Sequence, residues 1–272
     1  MDTTADGAGQ PVTTGDRPQP PADPAVEPAA RSVDSFDIVI PVYNEPENFP
    51  NVLAEVERSA PGPFRVLMVY DFDGDTTLPV ARELARDRPF LTLVRNEIGP
   101  GVINALKTAV QVCRTGPVAV VMADLSDDLA ILPRMLELYR AGYDVVCPSR
   151  YMPGGRQIGG PRFKKFLSWL AGCSAYWLRG VPTHDITNNF RLYSGEMLKG
   201  MTIESTGGFE FALEVTAKAF LSGRSITEVP CCWRDRTAGQ SRFRLFRWLP
   251  RYLRWYWTLL THPRRAPLPV AR

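Results

Sequence analysis

Short apolar runs rich in Val and Ile recur between residues 37 and 147, each giving way to a turn and then to a segment with helical spacing. The runs are 37–42, 64–70, 91–94, a stretch beginning at Val118, and 144–147. Between them, Phe49, Val52, Leu53 and Val56 share one helical face, and 77–86 makes a short helix. Ile103, Leu106 and Val110 share a face after Gly99-Pro100-Gly101, and a further helix lies near 131–139. Strands alternating with helices dictate an α/β fold, with a mostly parallel central sheet and helices on both faces. The run from Val118 is the most informative. Five apolar residues read as a strand buried on both faces, then break into Asp124, Asp127 and Asp128 with Ser126 between them. Hard oxygen ligands at the carboxyl end of a buried strand suit magnesium or manganese, and open α/β sheets bind ligands just outside that end. A second reading stays open, in which Asp127 or Asp128 caps a helix from about Leu129.

Composition removes several classes. The chain has 272 residues, 44% of them hydrophobic, so a substantial core is available. A formal charge of +3 gives no sign of a nucleic-acid partner. Five cysteines form no CxxC pair, and with only His184 and His262 beside them they argue against a disulfide framework or a zinc site. Reduced thiols in a cytosolic protein are expected. There is no secretory signal pattern and no uninterrupted apolar stretch of about 18 residues for a membrane-spanning helix. Neither a P-loop nor a Gly-x-Gly-x-x-Gly turn follows the first strand. Gly99-Pro100-Gly101 is either a helix start or a close backbone approach to a ligand. Residues 1–33 are expected to be a disordered tail, poor in large apolar side chains. A catalytic domain over 34–243 and a membrane-interface segment with a tail over 244–272 follow.

Six motifs, in order, carry a resemblance. Ile38-Val39-Ile40-Pro41-Val42-Tyr43-Asn44-Glu45 resembles the opening motif of family 2 glycosyltransferases. The stretch from Asp71 to Thr77 resembles that family's Asp-Asp-Gly-Ser-x-Asp-Gly-Thr segment, and Met122-Ala123-Asp124-Leu125-Ser126 falls where it has a metal-binding Asp-x-Asp. Ser149-Arg150-Tyr151, then 185–193, then 236–242 are similar to the dolichol-phosphate mannose synthase branch. The resemblance spans about 36–243. It implies an A-type glycosyltransferase fold, a nucleotide-sugar donor and inverting transfer. Carried over residue by residue, it places Pro41, Tyr43 and Glu45 around base and ribose, and Asp71 on a hydrogen bond from the base. Asp124 and Arg236 then stabilise the leaving diphosphate as catalytic and donor-binding residues. Plainer readings stay open: Asp71 fixes a turn, and Arg236 pairs with Asp235. Two positions depart from the family. Met122 and Tyr70 stand where Asp is usual, and a thioether is a poor ligand for a hard cation. Metal binding then rests on Asp124 with Ser126 or Asp127 and the phosphates of the nucleotide. Retained activity is expected, because Asp124 and the downstream motifs survive.

The second half speaks to the acceptor. Arg150, Lys164, Ser168 and Arg191 form the expected phosphate site, with Lys164 and Ser168 on one helical face in the family's basic-x-x-x-Ser spacing. A solvated basic face is the alternative. An acceptor phosphate is already anionic and needs no general base; a hydroxyl acceptor would call on Asp127, Asp128 or Asp185. In 245–260, aromatics interleave with Arg247, Arg251 and Arg254, and Pro250 starts or kinks a helix. Such a segment suits a membrane interface; packing on the protein's own sheet or docking on a membrane protein partner are the other readings. The expected activity is transfer of a hexose-like sugar from a UDP- or GDP-sugar to a polyprenyl (dolichyl-type) phosphate, by a peripheral protein on the cytoplasmic face of the cell membrane. Transfer to a sugar or small-molecule hydroxyl is the alternative, and a non-catalytic nucleotide-sugar binder is a third reading that Met122 supports.

Overall fold

The computed structural model describes residues 30–235 and 245–266, apart from the side chains of 245–247. The first half runs β1 (Phe36–Pro41), α1 (Phe49–Ser59), β2 (Phe64–Tyr70), α2 (Thr77–Arg86), β3 (Leu91–Arg95), α3 (Val102–Val112), β4 (Pro117–Val120), a 3-10 turn (Leu129–Ile131) and α4 (Leu132–Arg140). The second half runs β5 (Val145–Ser149), β6 (Arg156–Ile158), α5 (Arg162–Arg179), β7 (Arg191–Ser194), α6 (Gly195–Lys199), α7 (Phe211–Leu221), β8 (Ile226–Pro230), β9 (Cys232–Arg234) and α8 (Leu245–Thr261). Seven strands form the central sheet in the order β3-β2-β1-β4-β7-β5-β8, and β6 pairs with β9 in a separate ribbon. The central sheet is parallel except at β7, which runs antiparallel to both β4 and β5.

The period of two along each strand explains why the runs are apolar throughout. Ile38 and Ile40 of β1, Val66 and Met68 of β2, and Ala119 of β4 join one core with Phe49, Val52, Leu53 and Val56 of α1, Leu78 of α2 and Leu136 of α4. Their strand neighbours Val39, Leu67, Val69, Val118 and Val120 join the opposite core, with Ile103 and Leu106 of α3, Phe220 of α7, and Trp255 and Leu259 of α8. The acid in β1 is paired: Asp37 is fully buried and accepts two bonds from the Arg65 guanidinium, 3.0 and 2.7 Å.

Several features differ from the sequence expectation. The strand from Val118 ends at Val120, so the acid cluster begins in a loop. Asp128 precedes the 3-10 turn without a capping side-chain bond; its Oδ2 accepts the Cys232 N–H at 3.1 Å. Of the expected N-terminal tail only 30–33 are described, and Arg31 there pairs with Asp144 at 2.8 Å. The C-terminal aromatics divide. Trp255 and Leu259 enter the main core, while Leu253 and Trp257 stay exposed.

Helix α5 crosses the chain at Gly172, where an added Cβ would overlap the His184 carbonyl oxygen. Gly172→Ala is therefore expected to destabilise the protein by about 1–3 kcal/mol, the usual cost of overpacking, in chemical denaturation. Gly62→Ala, where the space is open, is the comparison for backbone strain alone.

Candidate active site

Strand order decides which residues meet. β2, β1 and β4 are parallel, so Asp71, Tyr43 and Asp124 emerge at one sheet edge. β5 delivers Arg150 to that edge, and antiparallel β7 begins there. β1 and β4 flank the point where the strand order reverses, the usual place for a ligand in such sheets. A cavity of about 840 Å³ lies over it.

The turn after β1 is locked to the turn after β2. Asp75, buried, accepts the Asn44 N–H at 3.1 Å on each oxygen and the Thr77 N–H at 2.8 Å. Thr77 Oγ1 accepts the Glu45 N–H at 2.9 Å, and Asn44 Oδ1 accepts the Thr76 N–H at 3.0 Å. Asn44 is held at φ 53°, in the left-handed region. This lock orients Tyr43, whose ring lies 5.5 Å from that of Phe72, and Glu45, which accepts a bond from Asn48 Nδ2 at 2.7 Å. The three acids of the β2 turn thus have separate jobs. Asp73 pairs with Arg95 at 3.0 Å. Asp71 lines the cavity and pins the next loop, accepting Asn96 Nδ2 and the Gly101 N–H at 2.8 Å each. Gly101 needs its φ of 112° to begin α3, and with Pro100 it forms part of the cavity wall.

Asp124, Ser126 and Asp127 line the middle of the cavity, with Met122 beside them. Leu125 takes φ 59°, and this turn folds Ser126 back on Asp124: its Oγ–H and N–H donate to Asp124 Oδ1 at 2.6 and 3.2 Å. Asp127 Oδ2 accepts the Met122 N–H at 2.8 Å. Burial, then the charge of Asp124, pushes the Asp127 carboxyl up to about 8. A buried carboxyl beside a second acid is a suitable seat for a cation, whose positive charge would favour the ionised form of Asp127. Among the described residues no group of three or more His, Cys, Asp or Glu side chains is arranged to hold a metal ion. Asp124, Ser126 and Asp127 would therefore supply only part of a cation's oxygen shell and leave the remaining positions to a ligand.

Across β7, the Arg150 guanidinium meets Asp185 edge-on, Nε to Oδ2 at 2.6 Å and Nη2 to Oδ1 at 2.9 Å. Nη2 also donates to Ser168 Oγ at 3.0 Å and Thr187 Oγ1 at 3.1 Å. Tyr151 and Trp233 rings flank it at 5.0 and 5.9 Å. Burial opposes charge on Arg150, but Asp185 outweighs it and the arginine is raised. Burial likewise works against the Asp185 carboxylate, and Arg150 overcomes it, so Asp185 is lowered. Lys164 and Ser168 on α5 complete this side, and Leu213, Trp248, Tyr252 and Tyr256 add an apolar wall from α7 and α8.

The expected donor residues Pro41, Tyr43, Glu45 and Asp71 therefore share one cavity with Asp124, Ser126 and Asp127 and with Arg150, Lys164 and Ser168. Arg191 is not brought there. It is fully buried behind the wall, donating to the carbonyls of Asn188 (2.8 Å) and Asp185 and to Thr216 Oγ1. Its charge suggested a phosphate ligand; its bonds make it the support of the 185–188 loop. Arg236 lies outside the described residues. Sequence reasoning missed Asp75 and Asn96 as the groups that set the donor turns, although Asp75 lay within a quoted motif. It also missed Thr187, within the 185–193 motif.

Residues 37–199 match the family model described as Glycosyl transferase family 2. The chain belongs to glycosyl transferase family 2. This glycosyltransferase is 33% identical over 227 residues to a polyprenol monophosphomannose synthase of Mycolicibacterium smegmatis, covering 81% of this chain and 84% of that one. It is 29% identical to an undecaprenyl-phosphate mannosyltransferase of Micrococcus luteus, covering 75% and 85% of the two chains. Among solved structures, a mannosyltransferase from Pyrobaculum calidifontis in complex with GDP-Man and Mn2+ superposes with a TM-score of 0.62 at 17% identity, over 90% of this chain and 68% of that one. That likeness concerns the fold.

The buried pair gives the glycosyltransferase a defined acid response. Because Asp185 is lowered from 3.8, its stabilisation is complete above the ordinary carboxylate range and is lost as pH falls through the lowered value. Asp185→Asn leaves the Arg150 charge buried without its partner, a loss of about 3–5 kcal/mol. Melting temperatures between pH 3 and 7 should show this loss at neutral pH and a narrowing gap from wild type in acid.

Proposed function

We propose that this glycosyltransferase transfers a hexose-like sugar, with inversion, from a nucleotide diphosphate to a polyprenyl phosphate at a membrane surface. The carrying observation is that one cavity joins a carboxylate-bearing donor side to a basic and hydroxylic acceptor side and an apolar wall. The names of the two curated relatives point the same way. On the donor side, Tyr43 and Asp71 hold the nucleoside. Asp124, with Ser126 and Asp127, holds magnesium or manganese, which when bound offsets charge on the departing diphosphate. Arg236, outside the described residues, is the further candidate for a fixed positive charge on the leaving diphosphate. On the acceptor side, Arg150, Lys164 and Ser168 orient a phosphate monoester. A phosphate oxygen is already a nucleophile near neutral pH, so no side chain has to take a proton. UDP- and GDP-sugars both suit the donor side.

No described helix is long and apolar enough to cross a membrane. Approach to lipid instead falls to α5 and α8. Phe163, Phe166, Leu170 and Trp177 of α5 fall in one exposed stripe at helical spacing, and Leu253 and Trp257 of α8 are exposed as well. Arg162 and Lys165 stand beside the α5 stripe. An aromatic stripe with basic neighbours suits an anionic membrane interface, which we place on the cytoplasmic side, where nucleotide sugars and the five unbridged thiols are at home.

The decisive assay gives purified protein a panel of UDP- and GDP-sugars, polyprenyl phosphate in detergent, and magnesium, manganese or chelator. Lipid-dependent, chelator-sensitive release of one nucleotide is expected; release only with soluble acceptors would refute the lipid assignment. Asp124→Asn should lower kcat by about 10²-fold or more, while Lys164→Ala should raise the KM for polyprenyl phosphate about tenfold. Replacing Phe166 and Trp177 together by Ser should weaken flotation with anionic vesicles while leaving turnover in detergent intact.

A further inference from the structure

We infer that Asn189 hydrogen-bonds a hydroxyl group of the sugar in transit and thereby helps select the hexose. The inference rests on the transferase reading above. Asn189 lines the cavity. Its Oδ1 is buried, and among the described residues neither that oxygen nor the rest of the carboxamide has a hydrogen-bond partner. Buried carbonyls are rarely left in that state unless a ligand or water supplies the donor. The adjacent Asn188 is the contrast: its Nδ2 donates to the Pro148 carbonyl at 3.1 Å and its Oδ1 accepts the Phe190 N–H at 3.2 Å.

Strand order fixes where Asn189 stands. β4 and β7 pair Val120 with Arg191, and Met122 and Asn189 each lie two residues beyond that last pair. β5 and β7 pair Val146 with Leu192, and Asn189 lies three residues before Leu192. The Asn188–Pro148 bond keeps the two chains side by side at that level. Asn189 thus stands between the strand that delivers Asp124 and the strand that delivers Arg150. It lines the cavity together with Leu213 of α7 and Tyr252 and Tyr256 of α8, on the side of the sheet that those helices cover.

Chemistry says what occupies that gap. In direct transfer the anomeric carbon loses its bond to the diphosphate oxygen and gains one to the acceptor phosphate oxygen. The sugar must therefore sit between the two phosphates. Nearby hydrogen-bonding groups are committed elsewhere: Thr187 Oγ1 to Arg150, Ser168 and Asp185, and Ser126 Oγ to Asp124. Met122 offers only a weakly accepting sulfur. A carboxamide both donates and accepts, as a sugar hydroxyl does.

The test compares wild type, Asn189→Ala and Asn189→Ser. Calorimetry measures binding of UDP and GDP, and of UDP- and GDP-hexoses, with manganese; steady-state rates use the same donors and their monodeoxy counterparts. Asn189→Ala should weaken hexose-nucleotide binding, or lower kcat/KM, at least about tenfold while nucleotide affinity stays within about twofold. Wild type should reject one monodeoxy donor by a similar factor, and Asn189→Ala should no longer discriminate. Unchanged donor selection in a folded variant would overturn the inference. So would an equal loss of nucleotide binding, which would make Asn189 a contact to the cation or phosphate. The Ser variant serves if Asn189→Ala melts early. The binding comparison needs no acceptor, so wild-type failure with polyprenyl phosphate would count against the transferase reading alone.

Discussion

The site depends on one buried ion pair. Arg150 and Asp185 come from segments separated by α5, and their two-point contact brings the end of β5, the loop before β7 and Ser168 of α5 to one place. Taking both groups out of water is costly, and the mutual charge with added hydroxyl and backbone bonds offsets that cost. Asp185 also accepts the Arg150 and Asn188 backbone N–H groups at 3.1 and 3.2 Å, so it organises main chain as well as charge. Arg191 braces the same loop from behind through the Asp185 and Asn188 carbonyls. Two arginines from different motifs therefore serve the same loop in different ways, one at the cavity and one beneath it.

A second lock shapes the β1 and β2 end of the cavity. Asp75 and Asn44 tie the first two strand ends together, and Asp71 ties the second strand end to the start of α3. These are bonds between loops, made by short acidic and amide side chains that reach main-chain N–H groups without bulk. The strands beneath are held by apolar packing on both faces. The rigid sheet thus carries polar loops whose shapes are fixed largely by their own hydrogen bonds.

The α/β fold was legible because each early strand and helix is marked locally. Phe64–Tyr70 and Thr77–Arg86 fall at their expected bounds, and α1 buries the four residues its spacing singled out. β7 was not legible as a strand: it is four residues long and owes its place to distant partners on both sides. Charge alone did not reveal that Arg191 is buried. Nor did composition divide the C-terminal aromatics, because Trp255 and Trp257 are two residues apart yet on opposite sides of α8, one in the core and one in solvent. The larger exposed aromatic stripe sits on α5, where the basic residues drew attention first. Motif order brought most of the cavity's charged groups into view, whereas Asn189 stands out only once burial and the absence of a partner are known.

The antiparallel strand in the middle of the sheet sets an order of assembly. As the chain emerges from the ribosome, β1 to β4 and their helices can associate early, but one edge of β4 has no partner until β7 arrives. β5 is made before β7 yet belongs on its far side, so it has no place on the sheet until β7 docks. An uncovered strand edge is a template for pairing with other chains, and long-range pairings of this kind are slow to form. The interval between synthesis of β4 and synthesis of β7 is therefore the period in which a nascent chain is most exposed to aggregation and most in need of chaperone cover.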